Sequence, residues 1–374
     1  MIQTHHRTAT PKGLSSITTL LTTPGASLLI DHPFLLADAQ STIHWIKSLT
    51  PHAPTAIFLT HHHPDHFFSA NPILAAFPDA KFYAAPYVCS RINAEYDQKA
   101  KYWPAVLGTD AVPAAPRKPD PYLSSFFLLD GSPVVLLGPV QGDCVDQTVF
   151  WVPESRTVVA GDVVFGRSVH VWVEELESPA LVHSWLKTLD MIDHLHPQKI
   201  IPGHMEEGWE LDVKADLDHT RRYLRLFAEK VTYASGSGGG KPSVQELYDT
   251  FREAFPECRE NLEFFLGHMA NRFGQGERGR SWWKRGGVNT GSYLVSTMGT
   301  ELPTFNVDVI PIHLVLYHTS IVDAKLEFCT VTPKQSAARQ QTQKKKYMLF
   351  QWRAMSIWHK REEKLKRRHR SLSR

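Results

Sequence analysis

The chain has 374 residues, 42% of them hydrophobic and 21% charged, which is enough apolar content for a sizeable core. No apolar run reaches the ~18–20 residues of a membrane span, and the start, Met1-Ile2-Gln3-Thr4-His5-His6-Arg7, lacks the apolar centre of a secretory signal. The net charge of +3 joins unlike parts: residues 341–374 carry 12 Lys or Arg against two Glu, and residues 275–340 carry seven basic against five acidic, which leaves residues 1–274 at −9. An acidic main region argues against a surface that processes nucleic acid. Cys89, Cys144, Cys258 and Cys329 are far apart with no paired spacing, so they read as reduced thiols of a cytoplasmic protein.

In chain order, short apolar runs alternate with amphipathic stretches as far as about residue 230. Strands are expected at 27–30 and 56–59, with a helix at 41–48 between them. Directly after the second strand comes Thr60-His61-His62-His63-Pro64-Asp65-His66. Imidazole and carboxylate are the ligands that zinc, iron and manganese favour. A turn just outside a strand end can aim several such side chains at one point. Pro64 keeps this loop extended and rigid, with His62 pointing away, so His62 is a poor ligand candidate.

A helix at 71–77 follows, then strands at 81–85, 126–129, 134–137, 148–151 and 157–160. The clearest helix spans 179–195: Ser178 can cap it, Pro179 suits its first position, and His196-Pro197 ends it. Leu181, Trp185, Leu186, Leu189, Ile192 and Leu195 recur at helical spacing and read as core. A strand at 199–202 and a helix at 213–229 complete a first domain, 12–230. Ser235-Gly236-Ser237-Gly238-Gly239-Gly240 reads as a flexible break before a helical extension, 241–274, with helices at 242–254 and 259–273. Residues 275–374 read as a basic, disordered tail. Lys344-Lys345-Lys346 and Lys366-Arg367-Arg368-His369-Arg370 leave a nuclear address open.

The His-rich loop and three later segments, in this order, resemble the signature of the metallo-β-lactamase superfamily over roughly residues 15–230. Gly142-Asp143-Cys144-Val145-Asp146-Gln147 before an apolar strand is similar to that family's second ligand segment. Ala160-Gly161-Asp162 is similar to the segment with a bridging acid, and Ile200-Ile201-Pro202-Gly203-His204 to the one with the last histidine. Leu28-Leu29-Ile30-Asp31 resembles the strand whose terminal Asp buttresses the metal loop. The departure is Asp143, which stands where the family has a histidine; Asp146 competes with it and reads second, as a turn-stabilising group. Cys144 reads as a small buried hydrophobe.

The resemblance implies an α/β fold, the four-layer αββα sandwich. It implies His61, His63 and Asp143 on one ion, Asp65, His66 and His204 on a second, and Asp162 bridging them. Two Zn2+ are the expected cofactors, with iron or manganese as alternatives. Asp65 would orient the attacking water and move its proton. His170 would donate to the substrate carbonyl or its oxyanion, and Trp172 would form a wall. The expected activity is hydrolysis of an ester, lactone, thioester or amide in a small organic substrate by a metal-bound hydroxide. A mononuclear iron oxygenase of sulfur compounds and a non-catalytic metal-binding protein are the alternatives. A serine nucleophile has no supporting Gly-x-Ser-x-Gly. The expected partner is a small-molecule substrate, without membrane or nucleic acid; the oligomeric state is not legible.

Overall fold

The computed structural model describes residues 1–231 and 241–276. The expected break at 235–240 and both basic clusters lie outside the described residues. In chain order the elements are β1 (Gln3–Thr8), β2 (Ile17–Thr22), β3 (Ser27–Ile30), α1 (Leu36–Leu49), β4 (Pro54–Leu59), α2 (Pro64–Phe67), α3 (Ala70–Ala76), β5 (Lys81–Ala84), α4 (Pro86–Leu107) and β6 (Asp120–Pro121). Then follow β7 (Phe126–Leu129), β8 (Ser132–Val140), β9 (Gln147–Val152), β10 (Thr157–Gly161), α5 (Pro179–His194), β11 (Lys199–Pro202), α6 (Val213–Lys230) and α7 (Val244–Ala254). A π-helical turn, Glu263–Gly267, runs into α8 (His268–Phe273).

The strands form one sheet in the order β1-β2-β3-β4-β5-β6 and a second in the order β11-β10-β9-β8-β7. Strands β3 to β6 pair in parallel, as do β10 and β11, while the remaining pairs are antiparallel.

Side-chain alternation along the strands assigns the layers. Leu29, Ile57 and Leu59 face Ile43, Ile46, Ile73 and Val88 of the helices on one side. Their neighbours Leu28, Ile30 and Phe58 face Phe150, Val152, Val159 and Ile201 of the other sheet. Val149, Val158 and Ile200 turn outward again, onto Trp185, Leu189 and Leu224 of α5 and α6. The result is the αββα sandwich expected from the sequence. Covering both faces of each sheet explains why these strands read as continuous apolar runs.

Helix α5 buries the predicted stripe through Trp185, Leu189 and Ile192. Ser178 stands at its N-cap position, but the hydroxyl makes no capping bond. Its carbonyl takes the Leu181 N–H instead, at 3.1 Å, and Pro179 has no N–H to satisfy. Helix α6 is capped by side chain: Asp212 accepts from the Ala215 N–H at 2.9 Å. Phe251, Phe255, Phe265, Met269 and Phe273, from the helices after the break, join the same core as α5 and α6. Among the described residues, no helix is long and apolar enough to cross a membrane.

Candidate metal centre

Parallel pairing puts the carboxyl ends of β3 and β4 at one edge, and those of β10 and β11 at the edge of the facing sheet. Asp31, the 61–66 loop, Asp162 and His204 follow those four ends. Asp143 approaches from the turn ahead of β9 and is tied to the same place by its N–H, 3.3 Å from the Asp162 carbonyl. Two glycines let the backbones come this close. Gly161 has φ +52°, and a Cβ there would lie 2.7 Å from Thr60; a Cβ at Gly203 would occupy the space of the Asp162 carboxylate.

Four imidazoles converge here, and each is pinned through one ring nitrogen. His61 Nδ1 lies 2.9 Å from the Thr60 hydroxyl, and His66 Nδ1 donates to Asp31 Oδ2 at 3.0 Å. His204 Nδ1 donates to the Leu14 carbonyl at 2.8 Å, and His63 Nε2 donates to Glu175 Oε1 at 2.8 Å. The free nitrogens turn toward three carboxylates. His66 Nε2 is 3.2 Å from Asp162 Oδ1, and His204 Nε2 is 3.2 Å from Asp162 Oδ2 and 3.3 Å from Asp65 Oδ2. His63 Nδ1 is 2.8 Å from Asp143 Oδ2, and His61 Nε2 is 3.9 Å from Asp162 Oδ2.

Two sets therefore form, His61/His63/Asp143/Asp162 and Asp65/His66/His204, with the ligand atoms of each set within 4.8 Å of one another. Buried His61 Nε2 makes no hydrogen bond, and buried Asp143 Oδ2 and Asp162 Oδ1 face the inner ring nitrogens of His63 and His66. Lone pairs left over in a buried cluster, on rings anchored from behind, are what a pair of cations requires. These residues fit a metal centre.

Electrostatics agree. Burial pushes the Asp162 carboxyl up, but His204, His66 and His61 outweigh it and hold it well below the usual range. Burial pushes His204 down, yet Asp162 and Asp65 carry it up to about 10. His66 and His63 likewise overcome burial and rise well above the ordinary imidazole value, His66 through Asp162 and Asp65, His63 through Asp143 and Glu175. The three buried carboxylates thus demand positive charge beside them, which divalent ions can supply in exchange for protons.

All seven metal-ligand candidates from the sequence come together. Other candidates do not join them. His170 is fully buried, with Tyr223 and Phe255 as its ring neighbours at 5.8 and 6.4 Å rather than the clustered imidazoles. Its ring packs against α6 and the chain after α7. Trp172 stacks on Phe264 at 5.1 Å. Asp146 lies outside both sets, 3.6 Å from Arg91 Nε. His62 turns to α4, 3.5 Å from Glu95 Oε2, although with His63 and Cys144 it makes a third set of similar spacing. Burial, with Asp143 and Glu175, pushes the Cys144 thiol well up.

Two supporting residues went unread in the sequence. The Gln147 side-chain amide donates to Asp143 Oδ1, and Glu175 accepts the His63 Nε2–H. Gln147 sits in a recognised segment and could have been read from its spacing to Asp143; Glu175 carries no local signal.

The family model described as the Metallo-beta-lactamase superfamily matches residues 14–204. That span runs from the residue whose carbonyl anchors His204 to His204 itself. None of the curated proteins compared matches the chain. Among solved structures, the chain is similar to metallo-beta-lactamase IND-7, at 19% identity over 60% of this chain and 93% of that one, with a TM-score of 0.46. It is also similar to DIM-1 metallo-beta-lactamase, at 18% identity over 60% and 93% with a TM-score of 0.43. For a metallo-beta-lactamase from Pontibacter korlensis the values are 16%, 60%, 94% and 0.42.

Proposed function

Because the chain belongs to the metallo-beta-lactamase superfamily, we propose that it hydrolyses an ester, lactone, thioester or amide bond in a small organic molecule. Membership together with the two His/Asp sets supports metal-dependent hydrolase-type chemistry. Our reading assigns His61, His63 and Asp143 to one ion, Asp65, His66 and His204 to a second, and Asp162 to both. Zinc suits these nitrogen and oxygen donors, and iron or manganese would accept the same set. Divalent ions held there supply Lewis acidity toward a carbonyl oxygen and acidify a water.

The chain's own part is to hold and orient. Asp65, its side chain 12% exposed, is the cluster's carboxylate nearest solvent and the one placed to take a proton from an entering water. Burial pushes its carboxyl up, but His66 and His204 outweigh it, so the group stays ionised and able to accept. Phe165, stacked on the His204 ring at 5.3 Å, and Phe265, at 5.5 Å, exclude water from that side.

The observation that carries this reading is the set of four imidazoles pinned from behind and facing three buried carboxylates. Elemental analysis of purified protein, run with a panel of ester, lactone, thioester and β-lactam substrates, tests it. Two equivalents of divalent metal are expected, with turnover lost on chelation and regained with zinc. Protein without divalent metal, or iron accompanied by oxygen uptake on thiols, would reject it.

A further inference from the structure

His63 is held between two acids, with Nδ1 2.8 Å from Asp143 Oδ2 and Nε2 2.8 Å from Glu175 Oε1. The two acids differ in kind. Asp143 is fully buried in the site, whereas Glu175 comes from 112 residues away in the chain and its side chain is 38% exposed. The anchors of the other three imidazoles are buried groups of Thr60, Asp31 and Leu14. Among the described residues, Glu175 is the only group that accepts from His63 Nε2.

The loop that carries Glu175, residues 172–177, has no helix or strand of its own. It is fastened by the segment that follows the main sandwich in sequence. Trp172 stacks on Phe264 at 5.1 Å and lies 5.4 Å from the His268 ring. Glu174 Oε2 is 3.6 Å from His268 Nδ1, and Glu177 receives the Arg272 guanidinium. Leu176 is fully buried in the core that holds Phe265 and Met269. The π-helical turn and α8 therefore grip the loop on either side of Glu175.

A carboxylate can only accept, so the Nε2–H of His63 donates to Glu175, while Nδ1, which faces Asp143, offers its lone pair to an ion that displaces the proton between them. We propose that Glu175 is a positioning residue that holds the proton on His63 Nε2 and aims Nδ1 at the metal centre, with residues 263–273 keeping it in place. The proposal rests on the metal reading of the site. Partners of this kind typically contribute about 10–100-fold to metal affinity.

The test uses full-length Glu175→Ala, Glu175→Gln and Arg272→Ala proteins, with Co2+ as the probe. Binding is read by competition with a chromophoric chelator and by the visible ligand-field band. Glu175→Ala should weaken one Co2+ site by about 10–100-fold and shift its band. Glu175→Gln, which keeps an accepting oxygen, should recover most of that loss; Arg272→Ala should give a smaller weakening of the same site. Co2+ uptake by Glu175→Ala with wild-type affinity and band would overturn the proposal while leaving the metal reading intact. A wild-type protein that takes up no Co2+ would overturn both.

Discussion

Asp31 shows how much one side chain can organise. Its two oxygens accept from the Thr60 N–H and the Thr60 hydroxyl, each at 2.7 Å, and from His66 Nδ1 at 3.0 Å. Its own backbone sits at φ +57°, a conformation that Asp tolerates better than most residues. Asp31→Ala should lower stability by about 1–3 kcal/mol, because buried donors lose their acceptor. It should also weaken zinc binding by about 10–100-fold in a chelator competition. His61→Ala or His63→Ala removes a donor outright and should reduce bound metal and abolish turnover; full activity in either variant would count decisively against the assignment. At this scale the sequence was informative where residues are neighbours. Asp31, His61, His63 and His66 were legible from strand ends, while the Glu175 contact was not, since pairing across 112 residues leaves no local pattern.

Helices and strands were legible in proportion to their periodicity. Helix α5, with a regular apolar stripe, was found nearly to its ends. Helix α4 was missed: in its 22 residues only Val88, Cys89 and Ile92 are buried, too few to set a period. Strand β2 is not legible because Thr18, Thr19 and Thr22 interrupt its apolar residues, so the segment reads neither as an alternation nor as a continuous apolar run although all six residues are buried. Within α5, Leu189→Ala should cost about 2–5 kcal/mol in urea unfolding, whereas Lys187→Ala on the exposed face should stay within about 0.5 kcal/mol. The packing around α6 sets a pH limit. Burial holds His170 down to about 3 and His219 down to about 4, so both are neutral when folded. An unfolded imidazole takes its proton near pH 6.5. Below that pH the unfolded chain binds more protons, so stability present above it is lost as pH falls toward 4. At pH 5 each histidine's share is on the order of 2 kcal/mol. His170→Leu should flatten the fall of the urea midpoint between about pH 6.5 and 4.5; an unchanged slope would mean that His170 titrates normally.

For the whole molecule, the proposed ligands all lie between residues 61 and 204, and among the described residues the helices that join the core end at Phe273. A chain ending at Gly276 should therefore keep its metal content and turnover, measured beside the full-length protein. The amino-acid sequence alone determined the apolar strands, the acidic balance of residues 1–274 and the His/Asp groups waiting at strand ends, since all of these are properties of adjacent residues. Only the folded chain decided which nitrogen of each imidazole faces the cluster, that His170 packs in the core, and that the π-helical turn and α8 fasten the loop bearing Glu175. Those depend on distances between residues far apart in the chain, which are fixed when two sheets and their helices close on shared cores.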